Sequence, residues 1–352
     1  VGDISMRRFI PVLVAFVLWL PALVLGNPFA PGWTLQSDAS TIRFQSVKKQ
    51  TKVESSTFAT FDGEVDDNGL ATIRVLLDSV DTKIDLRNVR MRFLFFETFQ
   101  HPEATINVQM TPDLLADLEN VRRKLVTLPM TMDLHGISNT MDVELALTWI
   151  NDGLISVTSS APVVVNVADF SLMSGLKKLE EAANVTILPS ATVTFDLMFA
   201  QNDGDQIVAQ EDGVAVTAPA SAALEEDGDF SEEACVGRFE ILSRTDNIYF
   251  QFASADLDPK SQAILDTIVD IIQRCPGMVI EISGHTDADG SAELNQALSE
   301  ARANSVSEYF TGSGVDPSRI ITRGYGETQP AFPNDSAENK QRNRRIEFAV
   351  VR

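Results

Sequence analysis

Residues 201 to 233 divide the chain. This stretch holds ten acidic residues, among them Asp203, Asp205, Glu225, Glu226, Asp227, Glu232 and Glu233, and not one Lys or Arg. It has no apolar periodicity and includes the run Ala218-Pro-Ala-Ser-Ala-Ala. A segment of that kind buries too little surface to offset the entropy of ordering it, so a solvated linker is expected, spanning roughly 30 Å. Two folded units follow, as a chain of 352 residues also suggests. The balance of 50 Asp+Glu against 28 Lys+Arg, a net charge of −22, repels phosphate backbones and disfavours a nucleic-acid partner. Two cysteines and three scattered histidines leave too few soft ligands for a zinc site, so neither a metal nor a metal cofactor is expected.

Residues 1–26 read as a signal segment outside the fold. Met6-Arg7-Arg8 supplies a positive start, and Phe9 to Leu25 is an uncharged apolar run broken by Pro11 and Pro21. The alternative is a retained membrane anchor, because 17 residues approach the lower limit for a span. Either way the body of the chain is expected to be exported, into a compartment that permits disulfides.

Between residues 31 and 200 the text alternates apolar and polar residues, as in Thr41–Val47, Ala71–Leu77 and Met141–Leu147. Turn signals at Asp66-Asp-Asn-Gly69, His135-Gly136 and Asn151-Asp-Gly153 separate the runs. An antiparallel, closed or nearly closed sheet is expected. Ile84 to Thr98 interrupts it with Arg87, Arg90 and Arg92 among Met91, Phe93, Phe95 and Phe96, suggesting a short helix and a loop across a barrel mouth.

Residues 234–352 are mixed. Strands are expected at Ile248–Phe252, Val279–Ser283, Arg319–Arg323 and Arg345–Val351, and helices after Asp258-Pro259 and from about Ala292 to Phe310. The order is β-α-β-α-β-β, an α+β unit. In the second helix Leu294, Leu298, Ala301 and Ser305 are read as the inward face, with Asn295 and Arg302 on its flank. Asp287, in the loop after the second strand, joins them. Carboxylate, amide and guanidinium at one cleft suit an amino-acid-like ligand; the alternative is an internal Asp287–Arg302 ion pair.

The segments Gly284-His-Thr-Asp287, Asn295-Gln-Ala-Leu-Ser-Glu-Ala-Arg302-Ala, Gly324-Tyr-Gly-Glu and Asn343-Arg-Arg345 resemble the OmpA-like peptidoglycan-binding domain over about residues 240 to 352. The resemblance implies that Asp287 holds the ammonium and Arg302 the carboxylate of a diaminopimelate in the stem peptide, with Asn295 and Arg344 in support. His285 lacks an accompanying nucleophile and reads as packing. Trp33 to Phe199, through Phe58–Val65, Asp81–Arg90, Phe95-Phe96, His101-Pro102 and Leu134–Ser138, resembles the YceI family. That implies a lipocalin-like antiparallel β-barrel holding an isoprenoid-like amphiphile, with Phe95 and Phe96 as candidate contacts. Pro102-Glu-Ala-Thr-Ile-Asn departs from the family's usual Pro-x-Ile-x-Phe, so the ligand's identity does not carry over.

Cys235 and Cys275 are expected to form a disulfide closing a loop of about 40 residues, contributing roughly 3–4 kcal/mol; the alternative is two buried free thiols. The reading is a non-enzymatic envelope protein of a Gram-negative periplasm, associated with peptidoglycan and the outer membrane, with the envelope membrane as a further candidate partner. Its rivals are a membrane-anchored tether resembling MotB-type proteins and a cell-wall enzyme, the latter without a paired acid/base or nucleophile motif.

Overall fold

A computed structural model describes residues 27–30, 32–202, 228–245, 248–251 and 254–351. The expected signal segment and residues 203–227, the bulk of the expected linker, lie outside the described residues.

The alternating segments form one antiparallel sheet of twelve strands: β1 (Trp33–Leu35), β2 (Thr41–Lys48), β3 (Lys52–Phe58), β4 (Phe61–Val65), β5 (Leu70–Leu76), β6 (Val80–Asp81), β7 (Glu103–Gln109), β8 (Arg123–Leu134), β9 (Ile137–Asn151), β10 (Leu154–Ser159), β11 (Val163–Asn166) and β12 (Ile187–Gln201). Four strand pairs are single strands broken by a bend. β1 and β2 both pair with β12, β3 and β4 continue one another against β2 and β1, β5 and β6 do so against β4 and β3, and β10 and β11 both lie along β12. Counted through the bends there are eight strands in sequence order, and the β1–β12 pairing closes them into a barrel. Alternation then sends one side chain in two inward, as the burial of Phe61, Gly63 and Val65 in β4 shows.

The barrel's far end is capped by helices. Ile84 to Thr98 contains α1 (Asp85–Arg90) and a single π-helical turn, Met91–Phe96, the helix across the mouth that the sequence suggests. A short α2 (Leu118–Val121) packs on β8 and β9 at the opposite end, and α3 (Met173–Ala183) lies on the π-turn. Helix α3 is not foreseen from the sequence, although Leu172, Leu176 and Leu179, all buried, carry helical spacing. Gly175 lets it lie flush on the π-turn: a Cβ there would stand 2.7 Å from the Leu94 carbonyl oxygen.

The second unit has α4 (Glu232–Leu242), α5 (Gln262–Gln273), β13 (Val279–His285), α6 (Ala292–Gly312), β14 (Ile320–Gly326), α7 (Ala337–Asn343) and β15 (Ile346–Val351). Its sheet runs β14-β13-β15, with β13 parallel to β14 and antiparallel to β15. The expected strand at Ile248 is reduced, among the described residues, to one bridge between Phe250 and Leu257. The reason is Ser261, whose hydroxyl bonds both the N–H and the carbonyl of Tyr249 and so takes the place of a neighbouring strand. Asp258 caps the turn into α5 through the Lys260 N–H, and Ile264, Leu265, Ile268, Ile271 and Ile272 are all buried, as the sequence predicts.

Cys235 and Cys275 are joined by a disulfide, Cα atoms 6.0 Å apart. It ties α4 to the end of α5. Reduction, or replacement of both cysteines by serine, is expected to lower the stability of this unit by roughly 3–4 kcal/mol in denaturant titrations.

The two units share a core. Val89, Phe93, Leu94 and Leu179 of the barrel cap cluster with Phe239, Leu242 and the α5 isoleucines. Arg238 meets Asp85 at 3.5 Å, and Arg342 meets Glu181 at 3.0 Å. No helix among the described residues is long and apolar enough to cross a membrane.

Candidate functional site

The cleft of the second unit exists because α6 lies directly on the sheet. A Cβ on Gly284 would stand 2.1 Å from the Ser299 carbonyl oxygen, and one on Gly324 2.5 Å from the Glu300 nitrogen. Strand and helix backbones touch here, which only glycine permits. The contact also decides which face of α6 turns inward. The expected face, Leu294, Leu298, Ala301 and Ser305, is wrong: Leu294 is 69% exposed, and the buried residues are Asn295, Ser299, Ala303, Val306 and Phe310. Ser299 and Ala303 are small enough for that approach, and Asn295 is held there by its hydrogen bonds. Ser299 Oγ bonds the Gln296 carbonyl and accepts the Gly326 N–H, locking the end of β14 to the helix.

This packing brings the expected residues together. Asp287 follows β13, is 6% exposed, and accepts the Asp289 N–H on Oδ1 at 3.1 Å. Its Oδ2 meets Arg344 Nη1 at 2.5 Å. Arg344 comes from the residue after α7, is otherwise exposed, and spans 57 positions to reach it. Asn295 is buried and donates to the Asp287 carbonyl at 3.3 Å and to Glu327 Oε2 at 2.5 Å. Glu327 is a site residue the sequence reading leaves unassigned, although it ends the quoted Gly324-Tyr-Gly-Glu segment.

Arg302 does not pair with Asp287. Its Nε donates to the Ser254 carbonyl at 3.1 Å, and its guanidinium lies over the Phe250 ring at 5.0 Å. Burial pushes its pKa down, Arg344 pushes the same way, and Asp287 opposes both. Two guanidinium groups therefore share the field of one carboxylate. Glu327, held by Asn295, is the other carboxylate of the cleft. Lys340 and Asp289 close its rim with an ion pair at 2.6 Å.

His285, 1% exposed, stacks on Tyr325 with centroids 5.3 Å apart. Its Nε2 lies 3.6 Å from the Glu347 carboxylate, at the outer limit of a polar contact. His285 first and Arg345 next hold the Glu347 carboxyl down to about 2, against a burial that pushes it up. A depressed carboxyl stabilises the fold above its unfolded value and loses that contribution as pH falls. Urea unfolding of wild type and Glu347→Gln should therefore differ at pH 5 and converge between pH 4.5 and about 2.

The barrel holds two adjacent cavities, which share Ile42, Ile106, Met132 and Val193 in their walls. The inner one, about 100 Å³, is lined by apolar side chains alone and ends at Phe29 and Trp33. The outer one, about 390 Å³, lies beneath α1, the π-turn and α3. Phe95 and Phe96 both line it and stack edge-on at 4.9 Å. Phe96 is 5% exposed and belongs to the barrel core as well. Lys48, Glu54, Arg87 and Arg90 line the same outer cavity.

Residues 249–344 match the model of the OmpA family, and residues 33–199 match the YceI-like domain. The peptidoglycan-associated lipoprotein of Pseudomonas putida is 33% identical over 122 residues, which are 35% of this chain and 69% of that protein. The probable lipoprotein YiaD of Escherichia coli is 36% identical over 110 residues, 31% of this chain and 50% of that one. A solved polyisoprenoid binding domain from Saccharophagus degradans, implicated in plant cell wall breakdown, is 32% identical and covers 48% of this chain and 98% of its own, with a TM-score of 0.47. The chain spans half the length of YiaD and less of several other curated relatives. Through its second unit the chain belongs to the OmpA family, and its first unit is a YceI-like domain.

Proposed function

We propose that this is an exported, non-enzymatic envelope protein that holds peptidoglycan non-covalently in its C-terminal cleft and an isoprenoid-like amphiphile in its barrel. Residues 1–26 direct export, 31–200 form the carrier, 201–233 link the two, and 234–352 bind the cell wall in the periplasm, close to the outer membrane. The observation that carries the reading is Asp287: a buried carboxylate beside two guanidinium groups, only one of which it pairs.

The free end of a diaminopimelate side chain offers an ammonium and a carboxylate together. Its ammonium takes the place of Arg344 on Asp287, and its carboxylate meets Arg302, joined by the released Arg344. Asn295 holds the loop carbonyl in place. The Pseudomonas putida relative, by its name, associates with peptidoglycan, which supports this assignment. For the barrel, support comes from the apolar walls of two adjacent cavities, of which only the outer one carries charged residues.

Calorimetric titration of the full chain with a stem peptide carrying diaminopimelate, and with the same peptide carrying lysine, tests the cleft. The lysine ammonium must displace Arg344 without supplying a carboxylate in return, so only the first peptide should bind measurably. Equal binding of the two, or binding of neither, would overturn the assignment. Native mass spectrometry of gently purified full chain should show a co-purified amphiphile; repeated absence counts against the carrier reading.

A further inference from the structure

The end of the barrel where the outer cavity opens carries cations on a chain whose total charge is −22. The β2–β3 hairpin reads Lys48-Lys49-Gln50-Thr51-Lys52, and Lys49, Lys52 and Lys83 are all exposed. Lys49, Gln50 and Lys83 have φ of 51°, 64° and 62°, so both turns are left-handed and tight. Beside them stand four apolar side chains in solvent: Val53 at 57%, Ile84 at 54%, Leu188 at 42% and Leu86 at 38% exposed. Ile84, Leu86 and Leu188 line the outer cavity together with Lys48 and Arg87, so they form its rim. Register places the remaining residues there too: Lys52 pairs with Lys48, and Lys48 pairs with Ile187, the neighbour of Leu188.

The nearby carboxylates do not cancel this charge. Glu54 is shared by Lys48, Lys52 and Arg87. Asp81 accepts the Lys83 backbone N–H, and Asp85 pairs with Arg238 of the other unit. With Arg90 lining the cavity and Glu180 accepting the Ile187 N–H, six cations face four carboxylates, and Lys49 and Lys83 stand clear of them. Burial, then Lys52 and Arg87, lower the Lys48 pKa, consistent with unrelieved positive charge at the rim.

Exposed aliphatic tips set among lysines suit one kind of surface. The tips enter the boundary between headgroups and acyl chains, while the ammonium groups remain with anionic headgroups. We propose that this rim docks on an anionic lipid bilayer, so that the mouth of the cavity faces the membrane. The proposal goes beyond the carrier reading. Docking does not require a loaded cavity, and a loaded cavity does not require docking.

Sedimentation of the full chain with vesicles tests it, using phosphatidylcholine alone or mixed with phosphatidylglycerol, at low and high salt. Each lysine near an anionic surface strengthens binding roughly fivefold, so partitioning to the mixed vesicles should exceed that to neutral ones by about a hundredfold at low salt. High salt should erase most of the difference. Lys49→Gln, Lys52→Gln and Lys83→Gln combined should lower the ratio about a hundredfold. Because the three side chains are exposed, thermal unfolding should not change. Ile84→Asp should weaken binding to both vesicle types. The apolar residues 9–25 are common to every variant, so the ratio between vesicle types is insensitive to them. Equal partitioning to the two vesicle types, no binding to either, or a triple variant that keeps the wild-type ratio would overturn the proposal.

Discussion

Gly284→Ala is expected to destabilise the C-terminal unit by about 3 kcal/mol or more, at the upper end for overpacking. The new methyl would stand 2.1 Å from the Ser299 carbonyl oxygen and 2.9 Å from its carbon. Both are backbone atoms of a 21-residue helix, so no rotamer change relieves the clash. Either α6 lifts from β13 or the strand shifts away from β14. Lifting α6 also carries Asn295 and Arg302 away from Asp287, so ligand binding should fall together with stability. Gly312→Ala, at the last residue of the same helix, is the control. Nothing lies within 4 Å of its Cβ position, and that variant should be neutral or slightly stabilising. Urea titrations of both variants, followed by circular dichroism, check the contrast.

The second large effect concerns the charges of the cleft. Asp287→Asn keeps shape and one acceptor oxygen but removes the charge that holds an ammonium and anchors Arg344. Arg302→Ala removes the guanidinium stacked on Phe250. Each should weaken binding of the diaminopimelate peptide by about 2–5 kcal/mol, the range for truncating one member of a desolvated charge pair. Arg302→Lys keeps charge without the planar fork, so it should be impaired less than Arg302→Ala. Unfolding should be followed beside each titration. Arg302 makes one hydrogen bond and one ring contact within the fold, so its removal should affect binding more than stability.

Apolar patterning carries information wherever an element packs on side chains and has its other face in water. The barrel is legible because one face of every strand is apolar and the other wet, and the turn residues mark each reversal. The stripe of α5 is legible for the same reason, since it packs on side chains. Helix α6 is not. Its inner face touches backbone at Gly284 and Gly324, so it carries Asn295, Ser299 and Ala303 where a core-facing stripe would carry leucines. A rule that equates inward with apolar places Leu294 in the core, and it stands in solvent.

Helix α4 escapes for a related reason. Cys235, Arg238, Phe239 and Leu242 share one buried face between the barrel cap and β15, with Ile241 beside it, and the charged Arg238 inside that stripe breaks the apolar pattern. The cleft itself was readable as a set of residues but not as a set of partners. Asp287, Asn295, Arg302 and Arg344 converge as expected, yet the Asp287–Arg344 pair depends on α7 folding back across 57 residues. Spacing along one helix holds no record of that contact.

Co-sedimentation of the full chain with purified sacculi, in parallel with Asp287→Asn and Arg302→Ala, each shown to be folded by its thermal transition, decides whether the cleft holds peptidoglycan. Wild type should pellet with sacculi and be released by an excess of free diaminopimelate, and both variants should stay in the supernatant. Folded variants that pellet like wild type, or wild-type pelleting that diaminopimelate leaves unchanged, would contradict the assignment of this cleft to peptidoglycan.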